Sequence, residues 1–252
     1  FHHFAHFENS ISYRGSYYMS IGHEGEGKER VGDPRTPLGV YFVTEELSTA
    51  HLHEKYGVKA FPLDYPNAWD LRLQRTGDGI WVHGVDPLGG KRPIRDTDGC
   101  IALPNEDLLE LASEFQGNVT PVLIMREVNW VESAGNGTLR IELENVVADW
   151  ARSLAKGDMY AYLSLYDDEF QRWGMSAKDW SSFSLQTVGR RAITAVVVSD
   201  LLLLGYPGED GLYLSRFRQS VVEGEHETLS TKRLYWRRNM SGALKIVAED
   251  NG

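Results

Sequence analysis

The feature that most constrains the fold is a change of pattern near the middle of the chain. Before residue 130 the sequence consists of short β-type runs and turns, and after residue 140 it changes to helical periodicity followed by long β-type runs. Between them, residues 131–138 (Val-Glu-Ser-Ala-Gly-Asn-Gly-Thr) are typical of a linker. In a chain of 252 residues, this pattern predicts two domains, 1–130 and 141–252.

The charge balance excludes several classes of partner. Lys and Arg number 26 and Asp and Glu number 36, which gives a net charge of −10. Binding to nucleic-acid phosphates or to anionic membranes requires a basic surface, so we expect neither partner. The longest apolar runs, 195–198 and 201–204, are far shorter than the about 20 residues that a bilayer requires. We therefore expect no membrane span in this chain.

The first half is predicted to be mainly β. Aromatic and β-branched residues favour strands at 17–21, 40–44, 80–83 and 121–125. Residues 86–99 are rich in Gly and Pro and predict a long loop. An apolar stripe predicts a helix at 106–115, with Asn105 as its N-cap.

The second half is predicted to be α+β. Residues 141–170 have helical periodicity, interrupted at Gly157-Asp158, and Ser176 with Asp179 resembles a capping box for a helix at 180–185. Four β-type runs follow, at 193–204, 212–222, 228–237 and 243–248. Helices followed by strands predict one curved antiparallel sheet.

Cys100 is the single cysteine, so the chain contains no internal disulfide and no multi-cysteine zinc site. It follows Gly99, which permits a sharp turn that aims the amides of Gly99 and Cys100 at a developing oxyanion. A thiol needs a base to act as a nucleophile, and His83, before Gly84 at the end of a predicted strand, is the best candidate. The alternative is that Cys100 is a small buried hydrophobe and His83 a hydrogen-bonded core histidine.

These residues resemble a known family. His83-Gly84 followed by Thr97-Asp98-Gly99-Cys100-Ile101, and upstream Thr36-Pro37-Leu38-Gly39, are similar to the signature of the YkuD-type L,D-transpeptidase catalytic domain over roughly 11–128. Residues 141–252 resemble an NTF2-like domain. The pair is similar to the cell-shape-determining LD-carboxypeptidase group. The resemblance implies a mainly β catalytic domain followed by an α+β domain with a curved antiparallel sheet.

The resemblance also implies roles for individual residues. Cys100 is expected to be the nucleophile and His83 the general base, oriented by the Gly84 carbonyl. The amides of Gly99 and Cys100 are expected to form part of the oxyanion hole. Asp98 and Ala102 depart from the family pattern, and the missing Arg at 102 leaves open how the substrate carboxylate is held. The candidates for substrate contact are Trp81, Arg92, Arg95, Thr97 and Asp98, with Lys91 as a further loop cation; the alternatives are a solvated loop and a packed Trp81.

The implied reaction is acyl transfer from the diaminopimelate–D-alanine bond of peptidoglycan stem tetrapeptides, through a thioester. Water as acceptor gives an LD-carboxypeptidase, which we favour slightly over a 3-3 cross-linking or lipoprotein-linking L,D-transpeptidase. A non-catalytic wall-binding scaffold and an unrelated thiol protease remain open. The substrate implies a periplasmic location, and because no signal-like stretch follows Phe1, we expect a mature or trimmed form.

No cofactor or metal is expected. His51 and His53 have a spacing that suits a metal on a strand, but sequence gives them no third ligand, so a polar loop is favoured. His2, His3 and His6 are expected to belong to a frayed end. The second domain is expected to bind wall material or to form a homodimer.

Overall fold

The computed structural model describes residues 1–7, 10–89, 91–128 and 137–252. The chain divides into two compact units. Unit 1 comprises Phe1–Asp70 and Gln74–Arg126, and unit 2 comprises Leu71–Leu73 and Glu127–Gly252. Of the predicted linker, 131–136 lie outside the described residues, and Gly137 and Thr138 begin a helix.

Unit 1 is built from short strands. They are β1 (His2–Phe7), β2 (Ser10–Ser16), β3 (Ile21–Gly22), β4 (Gly39–Phe42), β5 (Ala60–Pro62), β6 (Trp81–His83), β7 (Arg95–Thr97), β8 (Ile101–Ala102) and β9 (Pro121–Ile124). The helices of the first half of the chain are α1 (Ala68–Arg72) and α2 (Asn105–Leu111), with 3-10 turns at Thr49–His51, Glu54–Tyr56 and Ala112–Glu114.

Three of these strands form the sheet that positions the candidate site. β6 lies in the middle, antiparallel to β5 and parallel to β8. One face packs into the core of unit 1 through Phe61, Val82 and Ile101, all of which are buried. Elsewhere β3 pairs with β7, β4 with β9, and β1 with β2. The predicted mainly β class is confirmed for this half.

Several predictions for unit 1 were wrong in detail. Only Ile21 of the predicted strand 17–21 lies in a strand, and Ser20 forms an isolated bridge to Ala102. The predicted loop 86–99 contains the whole of β7, which pairs in parallel with β3. Such pairing joins distant segments and leaves little local pattern in the sequence. The expected frayed end is instead the first strand of the β1–β2 hairpin.

β9 forms where it was predicted but is not buried throughout. Val122 is buried, whereas Leu123 and Met125 are exposed. Successive side chains of a strand point to opposite faces, so a continuous apolar run can expose one of its faces to solvent.

Unit 2 contains the longer elements. They are α3 (Gly137–Ala155), α4 (Met159–Ser164), β10 (Gln171–Arg172), β11 (Met175–Ser176), α5 (Ala177–Gln186), a 3-10 turn (Val188–Arg190), β12 (Ile193–Gly205), β13 (Leu212–Glu223), β14 (His226–Arg238) and β15 (Leu244–Asp250). The last four strands form one antiparallel sheet in chain order, as predicted.

The core of unit 2 joins α3 to this sheet. Val147, Trp150 and Leu154 recur at helical spacing and are buried, and the Trp150 ring meets Phe217 of β13 edge-on at 5.5 Å. The predicted Ser176 capping box is present. The predicted continuation of helix to residue 170 was wrong, because the backbone at 165–167 bonds to Ile246 of β15.

A cluster of buried charges lies in unit 2. Glu249 is 2% exposed and accepts hydrogen bonds from Arg172, from Lys232 at 2.6 Å and from the Tyr166 hydroxyl at 2.7 Å. Burial lowers the pKa of Lys232, and the Glu249 carboxylate opposes that shift. A buried carboxylate that meets two cations is the arrangement in which buried charge is tolerated.

Among the described helices, none is long and apolar enough to cross a membrane.

Candidate active site

The register of β6 and β8 determines where the two candidate catalytic residues lie relative to each other. Val82 pairs with Ile101 and His83 with Ala102, in parallel. Because Val82 and Ile101 face the core, His83 and Ala102 face the other way. Cys100 directly precedes β8 and is two positions from Ala102, so the same alternation places it on the face of His83.

The strand spacing sets the separation of this pair. Cys100 and His83 are offset by two residues on neighbouring strands. A strand spacing near 4.8 Å and a rise near 3.3 Å per residue give about 8 Å between their Cα atoms. An imidazole and a thiol on one face can meet across such a distance. The register therefore places the predicted base and the predicted nucleophile on one face of the sheet, within reach of each other.

The imidazole of His83 is held by its own backbone neighbour. Nδ1 lies 2.6 Å from the Gly84 carbonyl oxygen. A carbonyl only accepts, so Nδ1 carries the proton and Nε2 is left with a lone pair. Tyr56 meets the ring edge-on at 5.1 Å between centroids. The contact with the Gly84 carbonyl is the one expected for a base, and its catalytic role stays a prediction.

Burial keeps His83 neutral. The residue is 3% exposed, and desolvation lowers its pKa to about 4, with the Gly84 hydrogen bond opposing that shift. A charged imidazolium is disfavoured because the surrounding protein solvates it less well than water. At neutral pH the ring is therefore an acceptor for a proton.

The Cys100 sulfur is half-buried and lies among backbone groups. Sγ donates to the Gly79 carbonyl at 3.3 Å. Burial raises the pKa of the thiol, and a hydrogen bond from the Trp81 backbone opposes that shift. Both side chains are thus neutral at rest, a thiol at Cys100 and an imidazole at His83. A neutral thiol must lose its proton before or as it acts as a nucleophile.

The turn before Cys100 requires glycine. Gly99 has φ of 115°, and a Cβ there would come within 2.9 Å of the Arg35 carbonyl oxygen. The Gly99 amide donates to Thr97 Oγ1 at 3.2 Å, and that hydroxyl donates to the Cys100 carbonyl at 2.7 Å.

These bonds engage two residues of the expected site. Thr97 is buried and its hydroxyl ties the cysteine turn together, and its contact with a substrate stays a prediction. The Gly99 amide, expected in the oxyanion hole, already has a partner because the short Thr97 side chain reaches back to it. The Cys100 amide stays a predicted oxyanion donor.

The other predicted substrate contacts are engaged within unit 1. Arg92 lies 3.4 Å from Asp96, and Arg95 lies 3.9 Å from Glu26. Lys91 sits 3.9 Å above the Tyr18 ring. Asp98 is exposed, 3.8 Å from His23. These pairs are partly solvated and weak, so they do not prevent a carboxylate from recruiting the cations.

Trp81 packs on Tyr56, with 4.8 Å between ring centroids. It lies on the face of His83 by strand alternation. His51 ends the first 3-10 turn, and His53 caps the second one, where its side chain accepts a hydrogen bond from the Lys55 amide. The part of the chain that the structure describes contains no cluster of three metal-ligating side chains.

Sequence reasoning missed Asn105. It was expected to cap α2, but the residue at the cap position is Pro104. The Asn105 side chain instead bonds to the backbone at Val85, just after His83 and Gly84. Its position five residues after Cys100 is the one sequence signal. That signal does not distinguish a residue that caps the following helix from one whose side chain bonds to the backbone of another segment.

Comparison with known families agrees with this geometry. Residues 5–124 match the L,D-transpeptidase catalytic domain (YkuD), and residues 142–250 match the Cds6 C-terminal NTF2-like domain. The chain therefore carries an L,D-transpeptidase catalytic domain of the YkuD family, followed by an NTF2-like domain.

Two solved structures are similar over nearly the whole chain. Bd1075 of Bdellovibrio bacteriovorus is 27% identical, with a TM-score of 0.76, and the match covers 99% of this chain and 87% of that one. The helical cell shape determining protein Pgp2 of Campylobacter jejuni is 25% identical, with the same TM-score and the same two coverages. Curated protein sequences give no match.

Proposed function

We propose that this protein is a periplasmic cysteine enzyme that releases D-alanine from peptidoglycan stem tetrapeptides. Cys100 attacks the diaminopimelate–D-alanine bond, and water is the favoured acceptor, which makes the enzyme an LD-carboxypeptidase. The observation that supports this most directly is the pairing of β6 with β8, which puts Cys100 on the face of a neutral His83 whose ring is tied to Gly84.

The first half-reaction follows from the protonation states. As Sγ bonds to the diaminopimelate carbonyl carbon, its proton passes to Nε2 of His83. The resulting oxyanion is stabilised by the Cys100 amide. The C–N bond then breaks, the imidazolium returns its proton to the leaving D-alanine amine, and a thioester remains on Cys100.

The second half-reaction decides the type of enzyme. Water attacks the thioester and gives a proton to His83, which passes a proton on to the leaving sulfur. The products are a stem tripeptide and the free thiol. An amine acceptor would give a cross-link instead. Similarity over nearly the full chain to a protein described as determining helical cell shape favours water, because trimming to tripeptide changes the wall without adding a bond.

The test is product analysis. The protein is incubated with purified tetrapeptide muropeptides, and the products are identified by mass spectrometry. Tripeptide and free D-alanine are expected, and both should disappear in Cys100→Ala with little change in the melting temperature. A 3-3 dimer as the main product would overturn the choice of water, and turnover by Cys100→Ala would overturn the nucleophile.

A further inference from the structure

The Asn105 side chain holds the backbone at Val85, two residues after His83, through hydrogen bonds that we call the Asn105 clamp. Its Oδ1 accepts from the Val85 amide at 3.0 Å and from the Val58 amide at 3.4 Å. Its Nδ2 donates to the Val85 carbonyl at 2.8 Å. The oxygen and the nitrogen of the Asn105 carboxamide therefore both bond to the Val85 backbone. The oxygen also accepts from the backbone of the segment at Val58.

Close packing makes this clamp specific. A Cβ on Gly84 would come within 2.2 Å of Asn105 Oδ1, and one on Gly57 within 2.4 Å. Gly57 also has φ of 65°, which favours glycine. The two glycines let the carboxamide reach both backbone segments directly.

The clamp is connected to the imidazole through one residue. The Gly84 amide donates to the carbonyls of Tyr56 and Lys59, at 3.0 and 3.1 Å. The Gly84 carbonyl accepts a hydrogen bond from the Nδ1–H of His83. The direction of that carbonyl depends on the peptide between Gly84 and Val85, whose amide N–H is the group bound to Asn105 Oδ1.

We infer that Asn105 is a positioning residue, which fixes the Gly84–Val85 peptide so that its carbonyl holds His83 as the Nδ1-protonated tautomer. This inference rests on the proposed function, because it assigns the tautomer that leaves Nε2 free as the base. The side chain of Asn105 touches neither reacting atom. It acts on the reaction through the backbone carbonyl alone.

The experiment compares Asn105→Ala with Glu106→Ala, an exposed neighbour in the same turn of α2. Long-range ¹⁵N–¹H spectra of histidine-labelled protein report the tautomer. In wild type and Glu106→Ala, His83 is expected to be Nδ1-protonated, and in Asn105→Ala a mixture is expected. The rate constant kcat for D-alanine release should fall about 10- to 100-fold with KM little changed, since small displacements of a catalytic group cost rates of that order.

Asn105→Asp supplies a second variant in case the alanine variant does not fold. It keeps the acceptor for the two amides but loses the donor to the Val85 carbonyl, so a smaller loss of kcat and a partial tautomer mixture are expected. A pure Nδ1-protonated His83 in a folded Asn105 variant would overturn the inference. The spectra need no turnover, so they decide this point even if wild type releases no D-alanine and the proposed function fails.

Discussion

The two units bury ionisable groups in opposite ways. In unit 1, His83 meets a single carbonyl dipole and stays neutral. In unit 2, Glu249 meets two cations and a tyrosine hydroxyl. A buried group with one partner keeps a lone pair for chemistry, whereas a group bonded on several sides has little capacity left to react. The difference separates a neutral imidazole with a free acceptor nitrogen in unit 1 from a hydrogen-bonded charged cluster in unit 2.

The largest effect is expected from breaking the charged cluster. Glu249→Ala leaves Arg172 and Lys232 buried beside each other without their carboxylate, so the free energy of unfolding of unit 2 should fall by about 3–5 kcal/mol. Urea denaturation followed by tryptophan fluorescence measures it. The control is Glu223→Ala, which removes a more exposed ion pair with Arg191 and should cost about 1 kcal/mol or less. An equal loss of unfolding free energy in the two variants would show that Glu249 does not neutralise a buried pair of cations.

A smaller effect is expected from pH. The pKa of His83 is about 4 in the folded protein and near 6.5 in an unfolded chain. Between those values the unfolded chain binds more protons, so stability is complete above pH 6.5 and falls as pH decreases towards 4. From pH 7.5 to 5 the contribution lost is about 2 kcal/mol.

This contribution is measured as a difference between variants. Urea unfolding at several pH values should give His83→Gln a shallower pH slope than wild type. His51→Gln, at an exposed histidine of the same unit, should keep the wild-type slope. If His83→Gln and wild type have parallel profiles, His83 is not buried in its neutral form.

The smallest effect is expected at an exposed polar contact. Ser176→Ala removes the hydroxyl that caps α5 and should lower the free energy of unfolding by about 1 kcal/mol. Ser182→Ala is the control, because that hydroxyl bonds back within the same helix to Lys178, a contact that adds little to helix stability. Thermal unfolding distinguishes the two, and an equal response would show that the cap contributes nothing.

Sequence reasoning succeeded where the pattern is local. The repeat of Val147, Trp150 and Leu154 and the four long strand patterns predict unit 2 because each element carries its own periodicity. The short strands of unit 1 are set by pairing between distant segments, so the local pattern at β7 predicts a loop although β7 pairs with β3. Local reasoning assigned Asn105 to the helix that follows it, although its hydrogen bonds lie across space at Val85.

The raised pKa of the Cys100 thiol also determines how the protein withstands oxidants. Peroxides attack thiolates, and a sulfur that is mostly protonated at neutral pH is converted slowly to sulfenic acid. The chain has no second cysteine to form a disulfide with such a product. The burial that raises the pKa of this thiol and so weakens it as a nucleophile therefore also protects the sulfur from oxidation.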